Sequence, residues 1–267
     1  MKLELSFEII LLGIIQGLTE WLPISSTGHI RLAESLLGFS LPLIFDVTMH
    51  VATLSVTLVF FRSEIREIIK ALSSLNFKSR EGRMVLQILA GSLPTAIIGL
   101  LIITILKELP HDLSSLSITF LVSGLLIGMS RMGRQSGRHM NYQSALIIGV
   151  AQGFSVIPGL SRSGLTIATA LILGIDREEA FKFSFLLSIP SILGALILTL
   201  YMQYSALLAT EVGWLDLLSA FLAAVVIGYA SLKVLYRLLH KFHLFALYSL
   251  ILGSILATIN IFQYDHF

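Results

Sequence analysis

Gln16-Gly17-Leu18-Thr19-Glu20-Trp21-Leu22-Pro23-Ile24-Ser25-Ser26-Thr27-Gly28-His29 is a polar island in an otherwise apolar opening of forty residues. Gln16 and Glu20 stand four apart, so a helix over residues 7–22 presents them on one face, a turn apart. Pro23 disfavours helix in the residue before it, and Ser25-Ser26 can start a new helix by accepting backbone N–H groups. His29 follows Ser26 by three and shares its side of that second helix. A carboxylate, two hydroxyls, an imidazole and a helix N-terminus therefore converge at one break, which suits binding and attacking an anion. An ordinary turn or cap is the competing reading of a Ser/Thr/Gly cluster. The setting decides between them.

Hydrophobic residues make up 55% of the 267, charged residues 13%, and the mean hydropathy is +0.89. That composition excludes a soluble globule and predicts an all-α polytopic membrane protein, with no nucleic-acid partner. No basic n-region with a cleavage site precedes the first apolar run, so no removable signal peptide is expected. With no cysteine there is neither a disulfide framework nor a thiolate nucleophile.

Residues 6–22 would make a helix of roughly 26 Å, short of a hydrocarbon core of about 30 Å. Residues 26–37 are shorter still, ending at Gly38. Two short helices about a polar break predict a re-entrant hairpin over 6–38, tolerated at membrane depth only inside protein or a watered cavity. A single tilted, Pro-kinked span is the alternative. Spans are expected at 42–61, at 84–106 with a kink at Pro94, and at 115–130. Residues 62–83, with Ile65, Ile68, Ile69 and Leu72 at helical spacing between charges, predict an amphipathic interfacial helix. Asp46 and His50 add polarity to the first span. Arg31 and Glu34, three apart, predict a local ion pair.

The opening pattern then returns. Gln152-Gly153-Phe154-Ser155 and Pro158-Gly159-Leu160-Ser161-Arg162-Ser163-Gly164 repeat the sense of the first island about 136 residues later. A second hairpin over 142–174 is expected, followed by spans at 181–201, 214–235 and 244–262. The chain is thus read as one integral membrane domain, 1–267, with repeats of about 1–135 and 140–267. Each repeat is a hairpin plus three spans, and the odd number of crossings inverts the second against the first. Of the eighteen Lys and Arg, fourteen fall in 62–83, 131–138, 177–182 and 233–241, while Lys2, Arg31 and Lys107 fall opposite. The positive-inside rule makes the rich side cytoplasmic. Inverted hairpins entering from opposite sides should meet near the midplane, as broken helices do in transporters.

The first copy brings Glu20 and His29, the second Arg162, and ionisable groups within a membrane are costly and suggest function. A purely structural Glu20–Arg162 pair is the plainer reading. Two helix N-termini, Arg162, the serine hydroxyls and the N–H groups of Gly28 and Gly164 would form a nest for phosphate. Glu20, helped by Gln16, offers oxygen to Mg²⁺ or Ca²⁺. Phosphoryl transfer to water is the chemistry suggested, and a lipid-phosphate transporter or flippase on the same inverted repeat is the rival.

Residues 16–29 and Pro158-Gly159-Leu160-Ser161-Arg162-Ser163-Gly164-Leu165-Thr166 resemble the paired signatures of the undecaprenyl-diphosphatase family, also called bacitracin resistance proteins. Phe45-Asp46-Val47-Thr48-Met49-His50 is similar to a further stretch found in many members. The resemblance implies a plasma-membrane enzyme that removes one phosphate from undecaprenyl diphosphate and so recycles the carrier lipid for wall polymers. It also implies a divalent cation, a site open to the extracytoplasmic side, and commonly a homodimer. Carried onto this chain, it assigns catalysis to Ser26, His29, Glu20 and Arg162, and the metal to Glu20 and Gln16. Ser25, Thr27, Gly28, Ser161, Ser163 and Gly164 would touch phosphate. Gln16 stands where many members have Glu, and Val51-Ala52-Thr53 is looser than the family's Gly-Thr form. Three nucleophiles stay open: Ser26 deprotonated by His29, His29 itself, or a water.

Overall fold

The computed structural model describes residues 2–38, 41–106, 112–133, 137–204 and 212–264; Lys107 and Arg134 lie outside them. The described chain is helical, with one isolated β-bridge between Arg138 and Ile175. Its helices are α1 (Lys2–Trp21), α2 (Ser26–Leu37), α3 (Leu43–Phe60), α4 (Arg62–Ser73), α5 (Arg80–Leu106) and α6 (Leu113–Met129). They continue as α7 (Tyr142–Phe154), α8 (Arg162–Ile172), α9 (Arg177–Met202), α10 (Trp214–Leu238) and α11 (Phe245–Tyr264). Short 3₁₀ segments follow α6 (Ser130–Met132) and join α10 to α11 (Leu239–Leu244).

Among the described residues, five helical runs are long and apolar enough to cross a membrane: α3, α5, Leu113–Met132, α9 and Trp214–Phe262. The chain is therefore a multi-pass membrane protein. The last run has 49 residues, about 74 Å if straight and more than twice a hydrocarbon core. Lys241, at φ −111° and ψ 17°, interrupts it. Its two arms have different neighbours, α10 lying on α1 and α3 and α11 on α6.

Both polar breaks sit where the sequence places them. Helix α1 stops at Trp21, and Ser25 caps α2 by accepting the Gly28 N–H at 3.3 Å. In the second copy α7 stops at Phe154, and Ser161 caps α8 through the Gly164 N–H at 3.1 Å. Left-handed glycines follow both short helices, Gly38 at φ 71° and Gly174 at φ 81°. Two boundaries differ from expectation. Helix α1 begins at Lys2, which gives a 20-residue arm of about 30 Å instead of a short one. Helix α5 begins at Arg80 within the basic segment, because Ser79 accepts the Gly82 N–H and starts the helix there. Helix α5 also runs unbroken through Pro94, and the Thr95 hydroxyl bonds both Gly91 O and Gly149 O at 2.9 Å.

Close backbone approach organises the bundle. A side chain at Gly13 or Gly17 of α1 would meet the α10 backbone at Ala220 or Ala224 within 2.9 Å. A Cβ on Gly149 of α7 would meet Gly91 O of α5 at 2.1 Å, and one on Gly153 would meet Ile98. Lipid offers helices no hydrophobic incentive to associate, so small residues four apart that admit van der Waals contact do this work. Trp21, Phe61, Phe181 and Phe185 form an aromatic core, with Phe181 and Phe185 centroids 4.9 Å apart.

The basic segments gather at one end. Lys182 pairs with Glu64 at 3.2 Å, joining α9 to α4. Arg131, Arg177 and His243 line one cavity there, and Arg80, Arg83 and His139 line another.

Candidate functional site where the two breaks meet

The tips of the two breaks are in contact. Ser25 donates to the carbonyl of Leu160 at 3.4 Å, and Ser163 donates back to the carbonyl of Leu22 at 3.5 Å. A Cβ on Gly28 would lie 3.0 Å from Gly159 Cα and 2.6 Å from the Phe120 ring, so only glycine lets the tips approach this closely. Ser25 holds a positive φ of 67°, rare for a side-chain-bearing residue, and such strain persists only where surroundings over-determine it.

Glu20 and Arg162, 142 positions apart, face each other across this contact. Arg162 Nη2 lies 2.6 Å from Glu20 Oε1, and both side chains are about five-sixths buried, at 15% and 16% exposure. Glu20 Oε2 accepts from the Ser26 hydroxyl and from Gln16 Nε2 at 3.2 Å. Ser26 and Arg162 are the first residues of α2 and α8, so two helix starts face one carboxylate. Arg162 Nη1 is buried without a hydrogen-bond partner, and its guanidinium lies 5.9 Å from the Phe185 ring centroid. An unpartnered guanidinium N–H is costly when buried and is the natural donor to an incoming anion.

His29 is arranged differently from the sequence expectation. Its Nδ1 lies 2.7 Å from Ser25 O and its Nε2 lies 2.6 Å from the Tyr248 hydroxyl. The ring stacks on Tyr248 and meets Phe120 edge-on. Neither ring nitrogen bonds Ser26, whose hydroxyl is taken by Glu20. Of the remaining candidates, Thr27 is exposed and 3.4 Å from Ser25 Oγ, while Ser161 and Ser163 are buried and 3.4 Å apart. Ser161 is engaged in capping, and its own N–H is received by Ser123.

Asp46 and His50 belong to another cluster. Arg31 bonds Glu34 at 2.7 Å, as the spacing predicts, and lies 4.0 Å from Asp46, while His50 Nδ1 bonds the Asp46 carbonyl. Tyr248, Phe120 and Phe185 are site neighbours that sequence reading did not select. Tyr248 could have been noticed as a phenol within an apolar span.

The donor set for a cation is small. Among the described residues, no three His, Cys, Asp or Glu side chains come together as a metal cage. Gln16 turns its amide nitrogen to Glu20, which leaves its carbonyl oxygen for a hard cation. One carboxylate and one amide oxygen suit Mg²⁺-type binding, in which phosphate oxygens and water complete the shell.

The arrangement joins an anion grip, a hydroxyl on a carboxylate and two helix N-termini. Comparison with known proteins agrees with that chemistry. Residues 9–255 match the model of a family described as Bacitracin resistance protein BacA. The undecaprenyl-diphosphatase of Carboxydothermus hydrogenoformans is 41% identical over 256 residues, covering 93% of this chain and 95% of that protein. That of Halothermothrix orenii is 40% identical, covering 92% and 95%, and that of Methanosphaera stadtmanae is 35% identical, covering 94% and 97%.

Proposed function

Because the chain belongs to the bacitracin resistance protein BacA family, we infer that it hydrolyses undecaprenyl diphosphate to the monophosphate and inorganic phosphate. The observation that carries this reading is the Glu20–Arg162 contact with Ser26 on the same carboxylate, formed where the two tips meet. The reaction recycles a lipid carrier for cell-envelope polymers.

In the proposed mechanism, Arg162 Nη1 donates to the terminal phosphate, and the N-termini of α2 and α8 add positive potential. Ser26 Oγ attacks the terminal phosphorus while its proton passes to Glu20. The bond from that phosphorus to the bridging oxygen breaks, and the oxygen leaves with the lipid monophosphate, taking the proton back from Glu20. Water then attacks the phosphoserine, giving a proton to Glu20, which passes it to the leaving Ser26 oxygen as inorganic phosphate departs. Glu20 replaces His29 as the group that holds the Ser26 hydroxyl, and a water activated by His29 stays the alternative nucleophile. Glu20 and Gln16 would hold a divalent cation together with the diphosphate, where it would neutralise charge on the phosphate oxygens. Ser25, Thr27, Gly28, Ser161, Ser163 and Gly164 frame the same space as capping and backbone groups.

The inverted repeat is part of this proposal. The α1–α10 and α7–α5 pairings exchange when the halves are swapped, and Gly13/Gly17 and Gly149/Gly153 stand at the same 136-residue offset as the caps. Six crossings, with α1–α2 and α7–α8 as re-entrant hairpins, then place the basic end in the cytoplasm of a plasma-membrane protein, and the site opens outward. Glu20, Ser26, His29 and Arg162 all come from one chain, so a homodimer would support the site without completing it.

The deciding experiment is phosphate release from undecaprenyl diphosphate by purified protein in detergent, where no two compartments exist. Release with Mg²⁺ or Ca²⁺ is expected; lipid translocation in vesicles without release would make the protein a carrier instead.

A further inference from the structure

We propose that the cavity at the basic end of the bundle is a second anion site, built for a phosphate group and separate from the Glu20–Arg162 site. It has a volume of about 410 Å³, within the ordinary range of ligand pockets, roughly 300–1,000 Å³. Arg131 enters it from the turn after α6, Arg177 from the first turn of α9, and His240 and His243 from the 3₁₀ link between α10 and α11. Three segments far apart in the chain thus direct basic groups at one space.

Their neighbours leave that charge unanswered. At the same end Lys182 is paired with Glu64 and His139 with Glu179, but among the described residues no carboxylate pairs with Arg131 or Arg177. Among the described residues Asp176 is the one acid in the lining, and its carboxylate caps α9 through the N–H groups of Glu178 and Glu179 at 2.9 and 3.2 Å. Two guanidinium groups that line one cavity without a counter-charge repel each other, and a phosphate between them would relieve that repulsion with bidentate hydrogen bonds. Buried Phe242 forms part of the wall. The cavity also touches Leu171 at the far end of α8 from Arg162, about 14 Å along that helix, so the two anion sites do not overlap. Basic pockets between spanning helices take lipid phosphates or free anions, and both present the same chemistry here.

The test uses purified full-length Arg162→Ala protein, which lacks the first site's guanidinium. Radiolabelled inorganic phosphate and short-chain phosphatidic acid are titrated separately in detergent. One saturable equivalent is expected, weakened at least tenfold when Arg131→Gln and Arg177→Gln are added. Binding of the lipid alone identifies a headgroup as the source, and binding of inorganic phosphate alone identifies the free anion. The Arg131→Gln/Arg177→Gln protein with native Arg162 should keep its phosphate release in detergent, which shows that it folds. Absence of saturable binding by either probe, or equal binding with and without the two added substitutions, overturns the proposal. Neither outcome touches the phosphatase reading, since the binding is measured without Arg162.

Discussion

Arg162 divides its guanidinium between a carboxylate and an unpartnered, buried N–H, so its loss should act on the reaction more than on folding. Arg162→Ala is expected to lower kcat/KM by at least roughly 10²–10³, the usual cost of removing an electrostatic donor to a developing charge. Arg162→Lys should recover little, because an ammonium cannot hold Glu20 and phosphate in one planar fork. Glu20→Gln keeps the shape of the hydrogen-bonded group while removing its charge and basicity; turnover should fall as far. Near-normal phosphate release by either purified variant would remove these residues from the mechanism. Ser26→Ala separates the nucleophiles: a phosphoserine mechanism loses turnover, whereas attack by a water that His29 activates keeps much of it. The Ser25 and Ser161 caps were legible residue by residue, since a hydroxyl after a proline break has few other partners at membrane depth, whereas Ser26, expected to share the capping, gives its hydroxyl to Glu20. The partner of His29 was not, because Tyr248 lies 219 positions away with no local pattern joining them.

At the scale of the helices, the glycines make opposed predictions. Gly17→Ala places a methyl 2.9 Å from Ala224 O and 3.0 Å from Gly228 N, so α1 must shift from α10. Overpacking of this kind costs roughly 1–3 kcal/mol, readable as a lower melting temperature in detergent. Gly194→Ala in α9 meets nothing within 4 Å and should be neutral or stabilising, by up to about 1 kcal/mol from helix propensity. Helix α6 begins at Asp112, which accepts from the Ser115 N–H at 3.0 Å and its hydroxyl at 2.6 Å. Those bonds hold the Asp112 carboxyl below its ordinary range. The cap's contribution is therefore complete above the unfolded value of about 3.9 and fades as pH falls through the lower folded value. Asp112→Ala should cost about 1 kcal/mol at neutral pH and leave catalysis intact; a melting temperature equal to the parent's would show the cap to be idle. Helix existence was legible here from apolar length, while the start of α1 and of α5 was not. Capping by Ser79 starts α5 ahead of where hydropathy alone would begin it.

For the whole molecule, the proposed orientation makes a labelling prediction that the cysteine-free sequence allows cleanly. A cysteine at Lys78 should react from the cytoplasmic side, and one at Gly213, at the other end of α10 from the basic cluster, from outside. Both reacting from one side would undo the inverted repeat. By itself the sequence determined the membrane class, the two broken helices, their caps and the expectation that Glu20 would find Arg162. Polar groups in a chain this apolar have so few tolerable environments that their spacing is informative without coordinates. Tertiary structure alone decided which proton acceptor holds Ser26, that Tyr248 holds His29, and that Arg131, Arg177 and His243 share a cavity. Those contacts join segments more than forty residues apart or choose among rival neighbours at the two breaks. Such choices are set by how helices pack, and no local run of residues encodes them.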